Sequence, residues 1–157
     1  MKKKIKKIFE LKGECRKKAI NDCLRQIKSW GLRMPAEPPM IRHFGLNDFY
    51  NTGEIEFWIC NNTAEGYCGK FIFLFSGQTC PRHFHRIKHE TFFVLRGKIK
   101  LNLRGKNINL DAGRVAAIPL ESGHYFTAIS GPALVLEISK PSLHRDSYFD
   151  NTKIGIF

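Results

Sequence analysis

The sequence contains no run of about 18 apolar residues, the length that a membrane-spanning helix requires. Its N-terminus is rich in lysine but lacks the apolar segment and the small-residue cleavage site of a secretory signal peptide. Its five cysteines are odd in number and form no CxxC pair, which indicates a reducing compartment and not a disulfide framework. We therefore expect a cytoplasmic protein with no membrane partner.

Acidic residues are also scarce, 14 against 26 lysines and arginines, which leaves a net charge of +12. The excess lies in residues 1–33, where twelve basic residues face three acidic ones, so that only +3 remains for the rest of the chain. Charge runs of this kind are usually solvated helix faces. A nucleic-acid platform would need interleaved aromatic residues, and these are sparse there. We therefore expect no nucleic-acid partner.

The N-terminal third predicts helices followed by an extended segment. Apolar residues recur at helical spacing over residues 14–30, and Gly31 is well placed to end that helix. A shorter basic helix is predicted at residues 3–11. Prolines then make residues 34–53 an extended strap.

From residue 54 the pattern changes to short β-rich runs separated by turn residues. The runs are EIEFWIC, KFIFLFS, ETFFVLRG, KIKLNL, INL, RVAAIPL, HYFTAI and ALVLEIS. Short strands at regular spacing, with no long helix between them, predict an antiparallel sandwich or barrel. At 157 residues the chain has room for one domain with a real core. We expect a basic helical segment over 1–33, the strap over 34–53, a barrel over 54–140 and a tail over 141–157 that packs on it.

The segment from Gly77 to Gly97 concentrates metal-ligand chemistry. His83 and His85 are two apart, so that on a strand they face the same side. A break near residues 86–87 would reset the register before Glu90. Two imidazoles and a carboxylate suit Mn²⁺, Zn²⁺, Fe²⁺, Co²⁺ or Ni²⁺. His124, which opens a later strand, is the best candidate for a fourth ligand.

The spacing of these residues resembles the two motifs of the cupin family. The first motif is matched by Gly77, His83, His85, Glu90 and Gly97, and the second by Gly113, Pro119 and His124. Two positions depart from the family pattern, where Glu121 replaces a glycine and Ala128 an asparagine. Neither position is a usual metal ligand. The resemblance implies a mainly β, single-domain cupin, which is a double-stranded β-helix or jelly-roll-like barrel, with an N-terminal helical segment.

The run HFHRIKHE is similar to a motif of the D-lyxose isomerases, a branch of the cupin sugar isomerases. This narrower resemblance implies that Lys88 and Glu137 transfer protons at a metal-bound sugar. Aldose–ketose isomerisation moves a proton between C1 and C2 through an enediol(ate), which a metal ion stabilises. Glu137 also lies in the apolar run ALVLEIS, where a carboxylate is costly without a task or a partner. A structural alternative pairs it with Arg96 or Arg104.

Three residues beside the predicted ligands are candidates for substrate binding. Arg82, together with Arg86, would form a basic rim for a modified or phosphorylated sugar. Phe84 and Tyr125 would contact the sugar or, alternatively, pack in the barrel. Mn²⁺ is the favoured metal, and a homodimer is expected because open sheet edges are usually covered. A non-catalytic carbohydrate-binding or sensing cupin, a sugar-phosphate isomerase and a dioxygenase are the alternative functions.

Overall fold

The computed structural model describes residues 9–154, which contain one α-helix and eleven β-strands. The helix α1 spans Gly13–Ser29. The strands are β1 (Met40–Arg42), β2 (Glu54–Asn62), β3 (Tyr67–Leu74), β4 (Thr79–Phe84), β5 (Glu90–Arg96), β6 (Lys98–Leu103), β7 (Lys106–Asp111), β8 (Val115–Ile118), β9 (His124–Ala128), β10 (Ala133–Ser139) and β11 (Tyr148–Phe149). Each of the eight runs predicted from the sequence overlaps one strand, namely β2, β3 or one of β5 to β10.

The strands form two antiparallel sheets, a six-stranded one in the order β1-β2-β3-β10-β5-β8 and a five-stranded one in the order β11-β4-β9-β6-β7. The inner faces of both sheets contribute to one apolar cluster, in which Ile72 and Phe92 of the first sheet join Leu101 and Phe126 of the second. The two sheets therefore pack face to face, as the mainly β jelly-roll prediction requires.

The outer face of the six-stranded sheet is covered at one end by helix α1. Ala19, Cys23 and Ile27 recur at helical spacing on one side of α1 and are fully or almost fully buried. They share a second apolar cluster with Ile55 and Phe57 of β2. The helix is therefore held by apolar burial, and Lys17, Lys18, Arg25 and Lys28 are exposed on its other side.

The ends of α1 follow the sequence closely. The helix ends at Ser29 with Trp30 as its C-cap, and Gly31 adopts a positive φ of 70°, a left-handed conformation that glycine takes without steric cost. No helix among residues 9–154 is long and apolar enough to cross a membrane.

The shorter helix predicted at residues 3–11 is wrong at its C-terminal end. The Leu11 amide donates to the Ile41 carbonyl, and Glu10 forms an isolated antiparallel bridge with Arg42. These residues are extended because β1 offers them backbone partners that a helical turn would compete with. Residues 1–8 lie outside the described part of the chain.

Candidate metal centre

The four predicted metal ligands converge at one end of the space between the sheets. His83 lies near the end of β4 and His85 just after it, while Glu90 and His124 are the first residues of β5 and β9. One ligand atom from each lies within 4.8 Å of the others, and all four side chains are buried. His83 and His124 are direct partners across the β4–β9 pair.

Each imidazole is oriented by a backbone carbonyl. The Nδ1 atoms of His83 and His85 lie 2.8 and 2.6 Å from the carbonyl oxygens of Pro81 and Asp146. The Nδ1 atom of His124 lies 2.9 Å from the carbonyl oxygen of Ser122. Because a carbonyl oxygen only accepts hydrogen bonds, each Nδ1 is the donor, and each Nε2 is left as the atom that can bind a metal.

The Nε2 atoms of His85 and His124 face the oxygens of Glu90. The His124 Nε2 lies 3.2 Å from Glu90 Oε2, and the His85 Nε2 lies 3.4 Å from Glu90 Oε1. Both nitrogens and Oε2 are buried, and none of the three has a hydrogen-bond partner among residues 9–154. Burial, reinforced by the two neighbouring imidazoles, lowers the pKa of His83 well below its ordinary value and keeps that ring neutral. Buried acceptors that point at one another fit a cation held between them.

Asp146 holds the loop between the predicted ligands His85 and Glu90. Its carboxylate accepts hydrogen bonds from the backbone amides of Arg86, Ile87 and Lys88 at 2.9 to 3.1 Å. Its carbonyl oxygen is also the acceptor that orients His85. Because the carboxylate gathers three successive amides, it fixes the break that resets the register between His85 and Glu90. The sequence predicted this break but not the residue that stabilises it.

Lys88 and Glu137, the predicted catalytic pair, meet beside this cluster. The Lys88 Nζ lies 2.6 Å from Glu90 Oε1 and 3.0 Å from Glu137 Oε1. The Ser139 hydroxyl also donates to Glu137 Oε1, at 2.9 Å. Both Lys88 and Glu137 are buried. The structure thus brings the pair to the metal ligands, although it does not test their catalytic roles.

The structural alternative for Glu137, a pairing with Arg96 or Arg104, is wrong. Arg96 donates to a backbone carbonyl, and Arg104 donates to the Ser122 hydroxyl. The second partner of Glu137 is Lys70, whose Nζ lies 3.4 Å from Oε2. Strands β3 and β10 place Lys70 directly opposite Glu137, so the two side chains are cross-strand neighbours.

A buried charge network continues from Glu137 across the sheet. The Lys70 Nζ lies 2.6 Å from Glu56 Oε1, while Arg42 and Trp58 donate to Glu56 Oε2 at 2.8 and 3.1 Å. Arg42, Glu56, Lys70 and Glu137 line one cavity between the sheets, together with the metal ligands His83, His85 and Glu90. Sequence reasoning missed Arg42, Glu56 and Lys70. Glu56 and Lys70 could have been found, because both interrupt apolar strands as Glu137 does.

The three predicted substrate-binding residues lie on the other face of the five-stranded sheet. Phe84 stacks on Tyr148 at a centroid distance of 5.0 Å, with the Arg86 guanidinium near both rings. The Arg82 Nε donates to Asp150 at 2.7 Å. Tyr125 alternates with the buried His124 and Phe126. The described residues that line the cavity do not include Arg82, Phe84 or Tyr125, so their assignment stays a prediction.

Comparison with known proteins agrees with this geometry. The family model described as "Cupin domain" matches residues 71–139. A curated D-lyxose/D-mannose isomerase from Thermosediminibacter oceani is 30% identical over 73% of this chain and 77% of its own length.

Solved structures agree at the level of the fold. The L-ribose isomerase of Cellulomonas parahominis, solved with L-ribose, has a TM-score of 0.70 at 15% identity, covering 85% of this chain and 90% of its own. The L-ribose isomerase of Geodermatophilus obscurus has a TM-score of 0.69 at 16% identity, covering 85% of this chain and 92% of its own. KdgF from Halomonas sp. has a TM-score of 0.54 at 17% identity, covering 57% of this chain and 80% of its own.

The two facing sheets and the histidine–glutamate cluster at one end of the cavity define a cupin. Within that class, the chain belongs to the cupin sugar isomerases, the family of the D-lyxose isomerases.

Proposed function

We propose that this protein is a metal-dependent aldose–ketose isomerase. The observation that carries the proposal is the contact of the Lys88 ammonium with both Glu137 and Glu90, at 3.0 and 2.6 Å. It joins a candidate base to the candidate metal centre within one cavity of a cupin sugar isomerase. A protein that only bound sugar would not need such a pair.

The residues that would hold the metal are His83, His85, Glu90 and His124. Three imidazoles and one carboxylate suit a divalent transition metal, and Mn²⁺ is the proposed ion, with Zn²⁺, Fe²⁺, Co²⁺ and Ni²⁺ as alternatives. When bound, the ion supplies positive charge that stabilises negative charge developing on the sugar oxygens.

Glu137 is the proposed carbon base. It takes the proton from C2 of the aldose and returns it to C1, while a second proton passes from the C2 oxygen to the C1 oxygen. Ser139 and Lys88 both contact its Oε1. These contacts hold the carboxylate in place before substrate arrives, which reduces the reorganisation that the reaction requires.

Lys88 is the proposed partner for the sugar oxygens. Its burial favours the neutral amine, but the carboxylates of Glu137 and Glu90 outweigh that effect, so that the pKa of Lys88 is raised above its ordinary value. It therefore stays charged at neutral pH. A charged lysine acts as a proton donor and as positive charge beside the oxygens, not as a second base.

The experiment is incubation of Mn²⁺-loaded protein with a panel of pentoses and hexoses in D₂O, followed by NMR. We expect deuterium at C2 of the recovered aldose, or a new ketose. Glu137→Gln should lower that rate by about 10²- to 10⁴-fold with bound metal unchanged. Asp111→Asn is the matched control, because it neutralises an exposed carboxylate that pairs with Lys98.

Other outcomes discriminate the alternatives. Sugar binding without exchange or product would indicate a non-catalytic binding or sensing cupin. Turnover of sugar phosphates alone would indicate a sugar-phosphate isomerase, and oxygen consumption a dioxygenase. Full activity of Glu137→Gln would remove that residue from the mechanism.

The cellular context remains a proposal on the same terms. We propose a cytoplasmic enzyme with a small sugar as its partner, no nucleic-acid or membrane partner, and a homodimeric state. Light scattering at micromolar concentration tests the homodimer, and a monomer at that concentration would refute it.

A further inference from the structure

Glu54 is a buried acid that the proposed reaction does not use. It is the first residue of β2, and only 5% of its surface is exposed. Ile55, its neighbour, packs in the outer cluster under α1, so the alternation of the strand turns Glu54 inward. Glu54 thereby lines the same cavity as His83, His85 and Glu90, from a strand that lies three positions away from β5 in the six-stranded sheet.

The Glu54 carboxyl has fewer hydrogen-bond partners than the carboxylate of Glu56. Its Oε2 atom is buried with no hydrogen-bond partner among the described residues. Glu56 instead receives donors from Arg42, Trp58 and Lys70. A buried polar atom without a partner costs about 1–3 kcal/mol. Such an atom at a cavity wall points to a ligand that completes it.

Glu54 carries its proton at neutral pH. Burial is the main cause, and the negative charge of Glu56 adds to it, so that the pKa of Glu54 is raised to about 8. The proton is shared in a hydrogen bond with the Glu56 carboxylate, which raises the pKa of Glu54 and lowers that of Glu56. The function left for a ligand is the unpartnered Oε2 atom, which can accept a hydrogen bond from a hydroxyl group.

The rest of the cavity favours an uncharged partner. Arg42, Lys70 and Lys88 supply its side-chain cations, and each contacts a carboxylate at 2.6 to 2.8 Å. The cavity therefore has no described lysine or arginine left over for a phosphate group. Because Glu54 is itself neutral, a hydroxyl group can approach it without meeting a net charge.

We propose that Glu54 is a substrate-binding residue whose Oε2 atom accepts a hydrogen bond from one hydroxyl group of an unphosphorylated sugar. The identity of the ligand as a sugar rests on the proposed function. The metal cluster lies on β4, β5 and β9, whereas Glu54 lies on β2. The two sites together therefore hold the sugar at two points, which makes Glu54 a determinant of which stereoisomers fit.

The test is equilibrium binding, not turnover. Mn²⁺-loaded wild type, Glu54→Leu and Glu54→Gln are titrated by calorimetry with xylitol, ribitol, D-arabinitol and D-mannitol, open-chain polyols that cannot isomerise. Leucine has similar size but no polar atom, whereas glutamine keeps one donor and one acceptor. We expect Glu54→Leu to weaken the tightest polyol by about 10- to 100-fold and Glu54→Gln to weaken it by less than about threefold.

Monodeoxy derivatives of the same polyol separate binding from a purely structural role. The derivative that lacks the contacted hydroxyl should bind wild type and Glu54→Leu within about threefold of each other, whereas the others should show the full loss. Equal loss for every derivative, or no loss at all, would overturn the proposal. A loss in Glu54→Gln as large as in Glu54→Leu would also overturn it.

This test fails independently of the proposed function. Polyol binding that depends on Glu54, with no deuterium exchange in any sugar, would retain the Glu54 site and reject the isomerase. Exchange in wild type with unaltered polyol affinity in Glu54→Leu would retain the isomerase and reject the Glu54 site. Wild-type protein that binds none of the polyols also contradicts the proposal.

Discussion

The two faces of the six-stranded sheet differ sharply in what they bury. On its outer face, Ile55 and Phe57 of β2 pack against helix α1 in an apolar cluster. On its inner face, Glu54 and Glu56 of the same strand enter a charged cavity. One strand thus serves both regions by the simple alternation of its side chains.

The difference separates stability from chemistry. Apolar burial under α1 favours folding without any requirement for pairing. Buried charges in the cavity cost free energy unless they are paired, and pairs such as Lys70–Glu56 and Lys88–Glu90 meet that condition at 2.6 Å. The outer face should therefore tolerate apolar substitution without loss of the site, whereas the inner face should lose binding before it loses the fold.

The largest expected effect on folding lies on the outer face. Ile27→Ala should lower the free energy of unfolding by about 2–4 kcal/mol, because Ile27 is 2% exposed and its replacement leaves a void under the helix. Metal affinity should not change. Chemical denaturation measures the first quantity and a chelator competition titration the second.

The matched control on the same helix is Leu24→Ala. Leu24 is 43% exposed, so its loss should change the free energy of unfolding by less than about 0.5 kcal/mol. A large drop in metal affinity for Ile27→Ala would contradict the separation of the two faces.

A smaller effect, specific to the metal centre, is expected for Asp146→Ala. This change removes the acceptor for three amides of the His85–Glu90 loop. Metal affinity should fall by about 10- to 100-fold, the usual effect of losing a group that orients metal ligands. Competition with a chelator measures it.

Asp146→Asn is the informative comparison for that loop. The amide keeps one oxygen acceptor and should lose less affinity than alanine. Wild-type metal affinity in Asp146→Ala would show that the loop holds its shape without the carboxylate.

The smallest effect is expected at Glu121, where the cupin motif has glycine. Glu121 adopts a φ of 56°, a left-handed conformation that is costly for a residue with a Cβ. Glu121→Gly should raise the free energy of unfolding by about 0.5–1 kcal/mol over Glu121→Ala, which removes the carboxylate but keeps the strain. Thermal melts compare the two variants, and a less stable glycine variant would argue against strain at this turn.

Periodicity and motif spacing were enough to predict most of the fold and the four-residue cluster. The alternation of His83 and His85, the break before Glu90 and the strand that begins at His124 are all local features, and the structure has each of them. The departure at Glu121 was also visible in the sequence, and the backbone accommodates it by adopting the conformation of the missing glycine.

Contacts between distant segments were beyond that reasoning. Asp146 reaches the loop at residues 86–88 from a tail 58 to 60 positions away. Glu10 and Leu11 were predicted to be helical, yet both pair with the backbone of β1 in an extended conformation. Arg82 and Phe84 are close to the ligands along the chain, but their side chains contact Asp150 and Tyr148 on the outer face of the five-stranded sheet.

The sequence by itself determined which residues can bind a metal and which of them share one side of a strand. Those properties depend on spacing along one strand, which two-residue periodicity governs. Only the tertiary structure decided which charges meet inside the cavity. The pairing of Lys88 with Glu137 and the network through Lys70 to Glu56 each depend on the register between strands that are far apart in the chain.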